Sequence, residues 1–541
     1  MSGPAVRPPS VREQVIELLR QRGMTTIFGN PGSTELGMLA QLPGEFRYVM
    51  ALHESVAVAM ADGFAQATGR PAFVNLHSAC GVGNAMGAVV NALHNRAPLV
   101  ICGGNQDRRQ LAIEPYLFAR GAELMAPYVK RAEQPARAQD VPAAIARACA
   151  LAQTPPCGPA FVSVPADDWQ APAEIAWQAR PGGPVRSGAA PDERALAELA
   201  ELISRARAVA LIVGAGVDRS GAWTEAVALA ERLCARVWTA PQSPRIGFPE
   251  DHPLYRGHLA AGYASAAAQL AGASLALVVG APVFAFLPHE PGPEEMPEIA
   301  LVTDDPDEAA RAPARLSLIG DAREALSRLI PLIAGRGGGE VARAVDPASA
   351  PPPIPAGEPP SIPPAVLMSE LGRALPADAV LVEEAPSHRG ELRRRVRIRR
   401  PASFFASASG GLGFAMPAAV GIALAWPQRP VVCLVGDGSA LFAPQALWSA
   451  VQLRARVAFV VSDNARYAIL ESVARFGGLD GVPSLELPGI DLVAMAASYG
   501  CPAERVEDPQ RLPVALREAI AAPGPTLLDV AVQRDVAPLL G

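Results

Sequence analysis

The chain has 541 residues, of which half are apolar and 18% are charged, and its formal net charge is −6. This length predicts about three domains, each with its own hydrophobic core. The acidic balance argues against a general nucleic-acid-binding protein, which would carry a basic face. Residues 1–10 contain no apolar segment of a signal peptide, and no apolar run reaches the roughly 18 residues of a membrane helix. We therefore expect a cytoplasmic protein that contacts neither nucleic acid nor membrane.

The cysteines also indicate an intracellular protein. Their number is odd, none forms a Cys-x-x-Cys pair, and most lie in apolar runs. This pattern predicts buried free thiols in a reducing compartment. The seven cysteines are Cys80, Cys102, Cys149, Cys157, Cys234, Cys433 and Cys501.

One segment departs from the acidic trend. Residues 393–400 have the sequence Arg-Arg-Arg-Val-Arg-Ile-Arg-Arg. Because this basic run is short and has no interleaved aromatic residues, we interpret it as a solvated face or a subunit contact rather than a nucleic-acid site.

The first part of the chain alternates strand and helix patterns. Short runs rich in Val, Ile and Phe, bounded by turn residues, predict buried parallel strands, and longer segments with helical periodicity lie between them. Repeated β-α-β alternation is typical of a doubly wound α/β domain. The predicted strands are residues 25–28, 47–52, 71–76, 98–102 and 160–164, the predicted helices are 11–22, 54–68 and 84–93, and a glycine-rich turn is expected between residues 77 and 84.

Two further α/β units follow along the chain. The second has strand candidates at residues 209–213, 237–240, 275–279 and 299–303. A segment rich in Gly and Pro then predicts a semi-rigid linker before the third unit. The similar size of the three units suggests duplication at the level of the fold. We therefore predict domains at residues 1–180, 188–334 and 365–541, with the linker at residues 335–364.

Two polar residues end apolar runs in the third unit. Asp437 follows the run 430–435, Asn464 ends the run that starts at 457, and a helical stretch at 443–453 separates them. A strand–helix–strand unit brings both strand ends to one edge of a sheet, where ligands of open α/β sheets bind. A carboxylate and an amide oxygen there suit a hard cation such as Mg²⁺, which can hold phosphates. The alternative is an ordinary turn, with Asp437 as a turn residue and Asn464 as a helix cap.

Similar motifs stand at the ends of other predicted strands. They are Gly29-Asn-Pro-Gly-Ser-Thr-Glu35, Ala51-Leu-His-Glu54, Asn75-Leu-His-Ser78, Gly280-Ala-Pro-Val-Phe284, Glu290-Pro-Gly292, Ser409-Gly-Gly-Leu-Gly-Phe-Ala-Met-Pro417 and Gly436-Asp-Gly-Ser439. In this order and spacing they resemble the thiamine-diphosphate-dependent 2-oxo acid decarboxylases, most closely the branch that acts on benzoylformate. The resemblance extends over nearly the whole chain and implies an α/β fold of three doubly wound parallel-sheet domains.

The resemblance implies how the cofactor, thiamine diphosphate, would be held. Glu54 corresponds to the glutamate that hydrogen-bonds the cofactor's pyrimidine ring, although alone it would be interpreted as a favourable charge at a helix N-terminus. Asp437, Asn464 and the backbone carbonyl of Arg466 correspond to ligands of Mg²⁺ (or Ca²⁺). The other implied cofactor contacts are Ser387, Gly410, Gly411, Leu412, Gly438, Ser439 and Tyr467, of which Leu412 alone would be interpreted as a core leucine.

The substrate side matches the family less completely. Ser33 and His77 correspond to polar residues that face the substrate, and an imidazole such as that of His77 is suited to relay protons near neutral pH. The family's second active-site histidine falls at Leu287, with His289 and His388 as possible replacements. The residues implied to form the substrate pocket are Leu117, Leu287, His289, Ala406, Leu470 and Val473, and two of these, Ala406 and Val473, stand where the nearest relatives have aromatic residues.

The predicted function is the non-oxidative decarboxylation of a 2-oxo acid to an aldehyde and CO2, with an aromatic acid like benzoylformate as substrate. An alternative is a carboligase of the acyloin or acetolactate synthase type, because the missing histidine would slow product release. A remote alternative is an NAD(P)-dependent oxidoreductase, suggested by the glycines of residues 81–87 and 214–216, which lack the full dinucleotide fingerprint. The resemblance also implies a homodimer or homotetramer, with each active site built between two subunits.

Overall fold

The computed structural model describes residues 8–174, 190–287, 289–290, 292, 295–336 and 362–539. Within these ranges, no helix combines the length and hydropathy needed to cross a membrane. Most of the predicted linker at residues 335–364 lies outside the described residues, as does Pro291 of the predicted Glu290-Pro-Gly292 motif. The domain boundaries therefore stay predictions.

The first domain is built on a six-stranded parallel sheet with the strand order β2-β1-β3-β4-β6-β5. Its four inner strands, β1, β3, β4 and β6, are almost completely buried because helices cover both faces, which accounts for their largely apolar sequences. The strands are β1 (Thr26–Gly29), β2 (Arg47–Met50), β3 (Ala72–Leu76), β4 (Leu99–Asn105), β5 (Ala132–Glu133) and β6 (Ala160–Pro165). The helices are α1 (Val11–Gln21), α2 (Leu36–Leu39), α3 (Glu54–Thr68), α4 (Ser78–His94), α5 (Gly121–Met125) and α6 (Val141–Gln153).

The central domain has a parallel sheet with the order β12-β11-β10-β7-β8-β9. Counted along the chain, this is the 3-2-1-4-5-6 order of dinucleotide-binding folds. The strands are β7 (Val209–Val213), β8 (Arg236–Thr239), β9 (Tyr255–His258), β10 (Leu275–Val279), β11 (Glu298–Thr303) and β12 (Leu316–Ile319). The helices are α7 (Glu193–Arg205), α8 (Ala215–Arg219), α9 (Trp223–Leu233), α10 (Tyr263–Gln269), α11 (Pro306–Arg311) and α12 (Ala322–Leu329).

The third domain repeats the strand order of the first, as β14-β13-β15-β16-β18-β17. This shared order agrees with the suggested duplication at the level of the fold. The strands are β13 (Val380–Glu384), β14 (Phe404–Ala406), β15 (Val431–Gly436), β16 (Val457–Asp463), β17 (Ala503–Val506) and β18 (Thr526–Ala531). The helices are α13 (Pro364–Ala374), α14 (Arg389–Arg395), α15 (Ala415–Ala425), α16 (Asp437–Ala440), α17 (Gln445–Leu453), α18 (Ala468–Phe476), α19 (Leu492–Ser498) and α20 (Leu512–Ala521).

Two predicted elements need correction. The glycine-rich segment after His77 is helical, because α4 begins at Ser78 and not near residue 84. Gly81 fits there since a Cβ at this position would lie 3.2 Å from the Glu54 carboxylate. The predicted helix at 443–453 corresponds to α17 and begins two residues later, at Gln445, and a separate short helix, α16, precedes it and contains Ser439.

Helices α3 and α15 hold the first and third domains together. They meet through glycines: a Cβ on Gly421 would lie 1.9 Å from the Met60 carbonyl oxygen, and one on Gly63 would lie 2.3 Å from that of Ala418. Residues of both helices belong to one continuous hydrophobic core that includes strands of both sheets. The loops at the ends of α3 and α15 are therefore fixed relative to one another.

Gly421→Ala is expected to lower the free energy of unfolding by about 1–3 kcal/mol or more, because a methyl group cannot enter this contact without moving a helix. Gly87→Ala is the matched control in helix α4, where a Cβ meets nothing within 4 Å. That change is expected to be neutral or to stabilise by about 0.4–1 kcal/mol. Urea unfolding of both variants measures the difference, and equal stabilities would contradict the tight contact.

Candidate active site

Glu54 lies at the carboxyl edge of the first sheet, as the first residue of helix α3. Its side chain is buried, and both carboxylate oxygens accept hydrogen bonds from amides. Asn30 Nδ2 donates to Oε1 at 3.3 Å, and Asn84 Nδ2 donates to Oε2 at 3.0 Å. The carboxylate is therefore held in one orientation by two residues that the sequence patterns did not single out.

His77 is positioned by the buried carboxylate of Glu35, which lies in the segment after strand β1. Its Nδ1 lies 3.0 Å from Oε2 of Glu35 and 3.2 Å from Oγ1 of Thr34. The His77 ring also explains why residue 32 is glycine, because a Cβ at that position would lie 2.1 Å from the ring. Nδ1 bonded to Glu35 leaves Nε2 as the nitrogen available to a ligand. Ser33 is exposed on the same loop.

Glu35→Gln is expected to lower kcat/KM about tenfold to a hundredfold, because hydrogen bonds to charged groups are worth about 1.5–3 kcal/mol. Gln keeps the size of the side chain but not the charge that orients the imidazole. Steady-state kinetics measure the effect. Glu45→Gln, at an exposed carboxylate of the same domain paired with Arg20, is the control and is expected to leave kcat/KM unchanged. Equal values for the two variants would contradict a positioning role.

Asp437 and Asn464 lie side by side at the carboxyl edge of the third sheet. Strands β15 and β16 pair in parallel, with Gly436 opposite Ser462, so the two residues leave the sheet at the same level. Both are buried, and Oδ2 of Asp437 and Nδ2 of Asn464 have no hydrogen-bond partner. Helix α18 has Tyr467 as its N-cap residue, so Asn464 does not serve as the cap that the alternative interpretation required.

Burial and the neighbouring carboxylate of Asp463 together raise the pKa of Asp437 to about 7. The backbone N–H groups of Gly438 and Arg466 donate to Asp437 and act in the opposite direction. A buried carboxylate that lacks a partner for one oxygen is well suited to a divalent cation, whose charge would offset its burial. The donor set at this edge therefore fits Mg²⁺.

The conformation of the loop after Asn464 makes a backbone carbonyl available as a ligand. Ala465 has φ +51°, a left-handed conformation, and the loop is fixed by hydrogen bonds from Tyr467 N to Leu485 O (2.8 Å) and from Leu487 N to Ala465 O (2.9 Å). The Arg466 side chain instead pairs with Glu471 and Glu486. This leaves the backbone carbonyl as the group that Arg466 can offer to a metal. No cluster of three His, Cys, Asp or Glu side chains suited to a metal occurs in the described ranges, which agrees with a set made of one carboxylate, one amide and one carbonyl.

The glycines of the predicted diphosphate site are required by close contacts. A Cβ on Gly438 would lie 2.5 Å from the ring of Tyr467, and Gly410 and Gly413 have φ +74° and +90°. Ser439 is buried in helix α16, and Leu412 is half-buried between the glycines.

Glu384 organises the glycine loop before helix α15. Its carboxylate accepts hydrogen bonds from the backbone N–H groups of Gly413, Phe414 and Ala415, at 2.7, 2.8 and 2.8 Å. Burial raises the pKa of Glu384 to about 7, although these three donors favour its ionised form. The free N-terminal amides of α15 are thus satisfied by a side chain at the end of β13.

A buried polar network joins this loop to the first domain. Asn91 Nδ2 donates to the Gly411 carbonyl oxygen at 3.3 Å, and the Asn95 side-chain oxygen accepts from Ala408 N at 2.8 Å. Asn95 in turn donates to the buried Asp62 at 2.8 Å. Helices α3 and α4, which carry Glu54 and its partner Asn84, therefore also support the glycine loop of the third domain.

A cavity of about 1440 Å³ lies between the central and third domains. Of the residues assigned to the cofactor or substrate, Ser387, Gly410, Leu287 and Val473 line it. Ser387 also accepts a hydrogen bond from the backbone N–H of Ile469 at 3.1 Å. The cavity is therefore formed by residues of both predicted groups.

Other predicted pocket residues lie elsewhere. Ala406 is buried in a hydrophobic core cluster and does not reach the cavity, because its position in β14 turns it towards that core. Leu470 is exposed on helix α18 outside the cavity lining, and His289 is exposed. Leu117 lies on a first-domain loop with φ +65°.

His388, considered as a replacement for the missing histidine, does line the cavity. Its Nδ1 lies 2.8 Å from Ser462 Oγ, and burial lowers the pKa of His388 to about 4. The imidazole is therefore neutral at pH 7.

The two groups of predicted residues form two separate half-sites. Among the residues that the structure describes, Ser33, Glu54 and His77 are absent from the lining of the cavity that contains Ser387 and Gly410. One chain thus presents the buried Glu54 carboxylate at one sheet edge and the buried pair Asp437 and Asn464 at another.

The glycines that suggested a dinucleotide site lie within a helix or at a close packing contact. Gly81 and Gly83 are part of helix α4. Gly214 and Gly216 pack against the next turn of the central domain, where a Cβ would lie 2.4 Å from Ala281 Cβ or 2.6 Å from Gly280 Cα. Gly214 and Gly216 therefore serve chain packing, and Gly81 and Gly83 form no dinucleotide-binding turn because they lie in a helix.

Three profiles of one protein family match the chain. The thiamine pyrophosphate enzyme N-terminal TPP binding domain matches residues 9–125, the central domain matches residues 196–329, and the C-terminal TPP binding domain matches residues 385–530. The chain therefore belongs to the thiamine pyrophosphate enzyme family, thiamine pyrophosphate and thiamine diphosphate being the same cofactor. This confirms the predicted family, fold and cofactor, whereas the roles of individual residues stay predictions.

Similar proteins share this architecture over their whole length. The chain is 42% identical to benzoylformate decarboxylase of Pseudomonas aeruginosa, over 97% of this chain and 99% of that one. The solved thiamine diphosphate-dependent 4-hydroxybenzoylformate decarboxylase of Rhodococcus jostii RHA1 superposes with a TM-score of 0.93 at 38% identity, covering 98% of this chain and all of that one. A putative acetolactate synthase large subunit of Mycobacterium tuberculosis is 31% identical, over 96% of this chain and 98% of that protein.

Proposed function

We propose that this enzyme decarboxylates an aryl 2-oxo acid, with benzoylformate as the reference substrate, to an aldehyde and CO2. The observation that carries the proposal is the pair of half-sites: the buried Glu54 carboxylate, and Asp437 with Asn464 beside the glycine loop. The similarity to two decarboxylases of benzoylformate-type acids supports the choice of substrate. Thiamine diphosphate, when bound, supplies the carbon nucleophile and electron sink for the loss of CO2.

The residues of this chain would divide the work by position. Asp437, Asn464 and the Arg466 carbonyl would hold Mg²⁺ and through it the diphosphate. Glu54, fixed by its two amide partners, would face the pyrimidine ring and hold a proton on its carboxyl group. His77 and Ser33 lie on the two loops that leave β3 and β1, where they orient the substrate carboxylate and move protons to the product.

A substrate panel tests the proposal. Purified protein is incubated with thiamine diphosphate and Mg²⁺ and with benzoylformate, 4-hydroxybenzoylformate, pyruvate or 2-oxohexanoate. We expect CO2 and aldehyde to form in equal amounts, fastest with the two aryl acids. Release of CO2 from none of the four acids would refute the decarboxylase function, and a preference for pyruvate would refute the aryl specificity.

Carboligation is a second candidate. Leu287 stands where the family has its second active-site histidine, and His388, the candidate replacement that lines the cavity, is uncharged at neutral pH and so is poorly suited to protonate the product. Slow release of the product favours its capture by a second aldehyde. Time courses with added benzaldehyde decide between the two: a 2-hydroxy ketone exceeding free aldehyde indicates a carboligase, and its absence excludes one.

We further propose that the two half-sites meet between subunits of a homodimer or a dimer of dimers. Exposed apolar residues surround both half-sites, which supports a second copy of this chain as the cover. Around the first they include Leu36, Met50, Leu52, Ile113 and Tyr116, and around the third-domain half-site they include Phe442, Leu470, Val473, Phe476 and Leu479.

Complementation tests this arrangement. Glu54→Gln and Asp437→Asn subunits, each inactive alone, are unfolded, mixed and refolded together. A mixed dimer contains one site with both native residues, so random mixing restores about a quarter of the wild-type activity. Light scattering establishes the number of subunits. No recovery in a confirmed mixed dimer would show that each site lies within one chain.

A further inference from the structure

The basic run 393–400, interpreted from sequence as a solvated face or a subunit contact, lies partly on the wall of the large cavity. Arg389 and Arg393 are four residues apart on helix α14 and share one face of it, and Arg397 follows. All three line the cavity that also contains Ser387 and Gly410. A row of guanidinium groups therefore leads outward from the residues assigned to the cofactor.

Most arginines of this wall have acidic partners. Arg389 donates to Glu383 at 2.9 Å, Arg394 and Arg395 both pair with Glu391, and Arg399 pairs with Asp251. These pairs leave little charge to attract a ligand. Within the described part of the chain, the two remaining arginines of the run that line the cavity have no such acidic partner.

Arg393 and Arg397 are the exceptions. Among the described residues, the Arg393 guanidinium has neither an ion pair nor a hydrogen bond, and Arg397 donates only to the backbone carbonyl of Arg393, at 3.0 Å. Burial lowers the pKa of Arg393 to about 10, so it remains charged at neutral pH. An unpaired cation in a cavity wall is costly unless an anion joins it.

His258 lines the same cavity and is already bound on one side. Its side chain is nine-tenths buried, its Nε2 lies 3.1 Å from Oε1 of Glu250, and its Nδ1 has no partner. Burial lowers the pKa of His258, and the charges of Arg393 and Arg397 lower it further. All three residues line the cavity.

Two acids face Arg393, and both are already engaged: Glu383 pairs with Arg389, and Glu250 binds other groups. The Tyr255 hydroxyl donates to it at 2.8 Å, and the backbone N–H of Ile398 donates to its second oxygen at 2.8 Å. The other acids on the cavity wall are Asp251, Glu391 and Asp535, the first two paired with arginines outside this group. The wall thus keeps unpaired positive charge at Arg393 and Arg397.

We propose that Arg393 and Arg397 form a binding site for the phosphate or carboxylate group of a small anionic ligand. Guanidinium groups bind such groups through charge-assisted hydrogen bonds. The anion has two possible sources: a second acidic group at the far end of the 2-oxo acid, or a free anion that binds beside the substrate. The first source rests on the proposed function, whereas the site itself does not.

Inorganic phosphate is the probe for the site. Calorimetric titration uses the holoenzyme saturated with thiamine diphosphate and Mg²⁺, so that the diphosphate site is filled. We expect the double variant Arg393→Met/Arg397→Met to raise the Kd for phosphate at least tenfold, and Arg393→Lys, which keeps the charge, to raise it less. Arg400→Met is the matched control, because Arg400 belongs to the same run but is exposed and outside the cavity lining. No phosphate binding, or equal binding by the double variant, would overturn the site.

Matched substrates identify the source of the anion. The ratio of kcat/KM for 4-carboxybenzoylformate to that for benzoylformate is measured for wild type, the double variant and Arg400→Met. A fall of at least tenfold in the double variant alone, with phosphate competing against the carboxylated substrate, indicates a substrate group. An unchanged ratio with intact phosphate binding to the wild type indicates a free anion. Failure to decarboxylate either acid would refute the proposed function without affecting the phosphate result.

Discussion

Glu54→Gln is expected to lower kcat about 10²- to 10⁴-fold, the range typical for removal of a general acid–base group. The variant keeps the size of the side chain and its place at the start of helix α3. It removes the proton that the carboxyl group exchanges, and its NH2 group faces one of the two amide donors, Asn30 or Asn84. Single-turnover kinetics with benzoylformate measure the loss directly.

The control is cofactor affinity. Because Glu54 lies apart from Asp437 and Asn464 in the chain's own fold, the Kd for thiamine diphosphate in Mg²⁺ is expected to change only a few-fold. Hydrogen–deuterium exchange at the reactive carbon of the bound cofactor is expected to slow in parallel with kcat. Unchanged turnover, or loss of cofactor binding equal to the loss of rate, would contradict the activation role.

The strand ends were predictable because their signals are local. Apolar runs such as 209–213 and 275–279 coincide with β7 and β10, and helix α3 begins and ends where its periodicity and its closing glycine indicate. A polar residue directly after such a run must lie at the carboxyl edge of a parallel sheet. For this reason sequence alone placed Asp437 and Asn464 together.

The supporting residues were not predictable because their partners are distant in sequence. Glu35 contacts a histidine 42 residues later, and Asn91 reaches a loop 320 residues later. Glu384 is an ordinary acidic residue until β13 carries it under the start of α15. A buried carboxylate has no local sequence signature, since its partners come from the packing of separate elements.

The error at the start of α4 has the same origin. Glycine after His77 favours a turn by local propensity, at a cost of about 1 kcal/mol for each helical glycine. Packing against Glu54 outweighs that cost at Gly81, where the helix approaches the carboxylate closely. Ala406 is a different case. Its position in the chain matches a pocket residue of the family, but in strand β14 its side chain faces a hydrophobic core.

Asp437→Asn is expected to raise the Kd for thiamine diphosphate in Mg²⁺ by about 100-fold or more, equivalent to about 2.7 kcal/mol. The substitution preserves shape but removes the negative charge that a divalent cation requires from this edge. Tryptophan fluorescence titration with the cofactor, at fixed Mg²⁺, measures the change. Ser439 and Gly438 remain in place, so some affinity for the diphosphate alone is expected to persist.

The same variant is expected to stabilise the protein when metal and cofactor are removed. Burial and the Asp463 carboxylate together raise the folded-state pKa of Asp437 to about 7, well above the ordinary value in an unfolded chain. The folded state therefore binds its proton more tightly, and stability falls as pH rises from about 4 to about 7. Above pH 7 the ionised carboxylate destabilises the metal-free fold, a cost that Asn removes. In EDTA at pH 8 the variant should unfold at a higher temperature than wild type, and with Mg²⁺ and cofactor the order should reverse; a lower temperature for the variant under both conditions would indicate a structural role for Asp437.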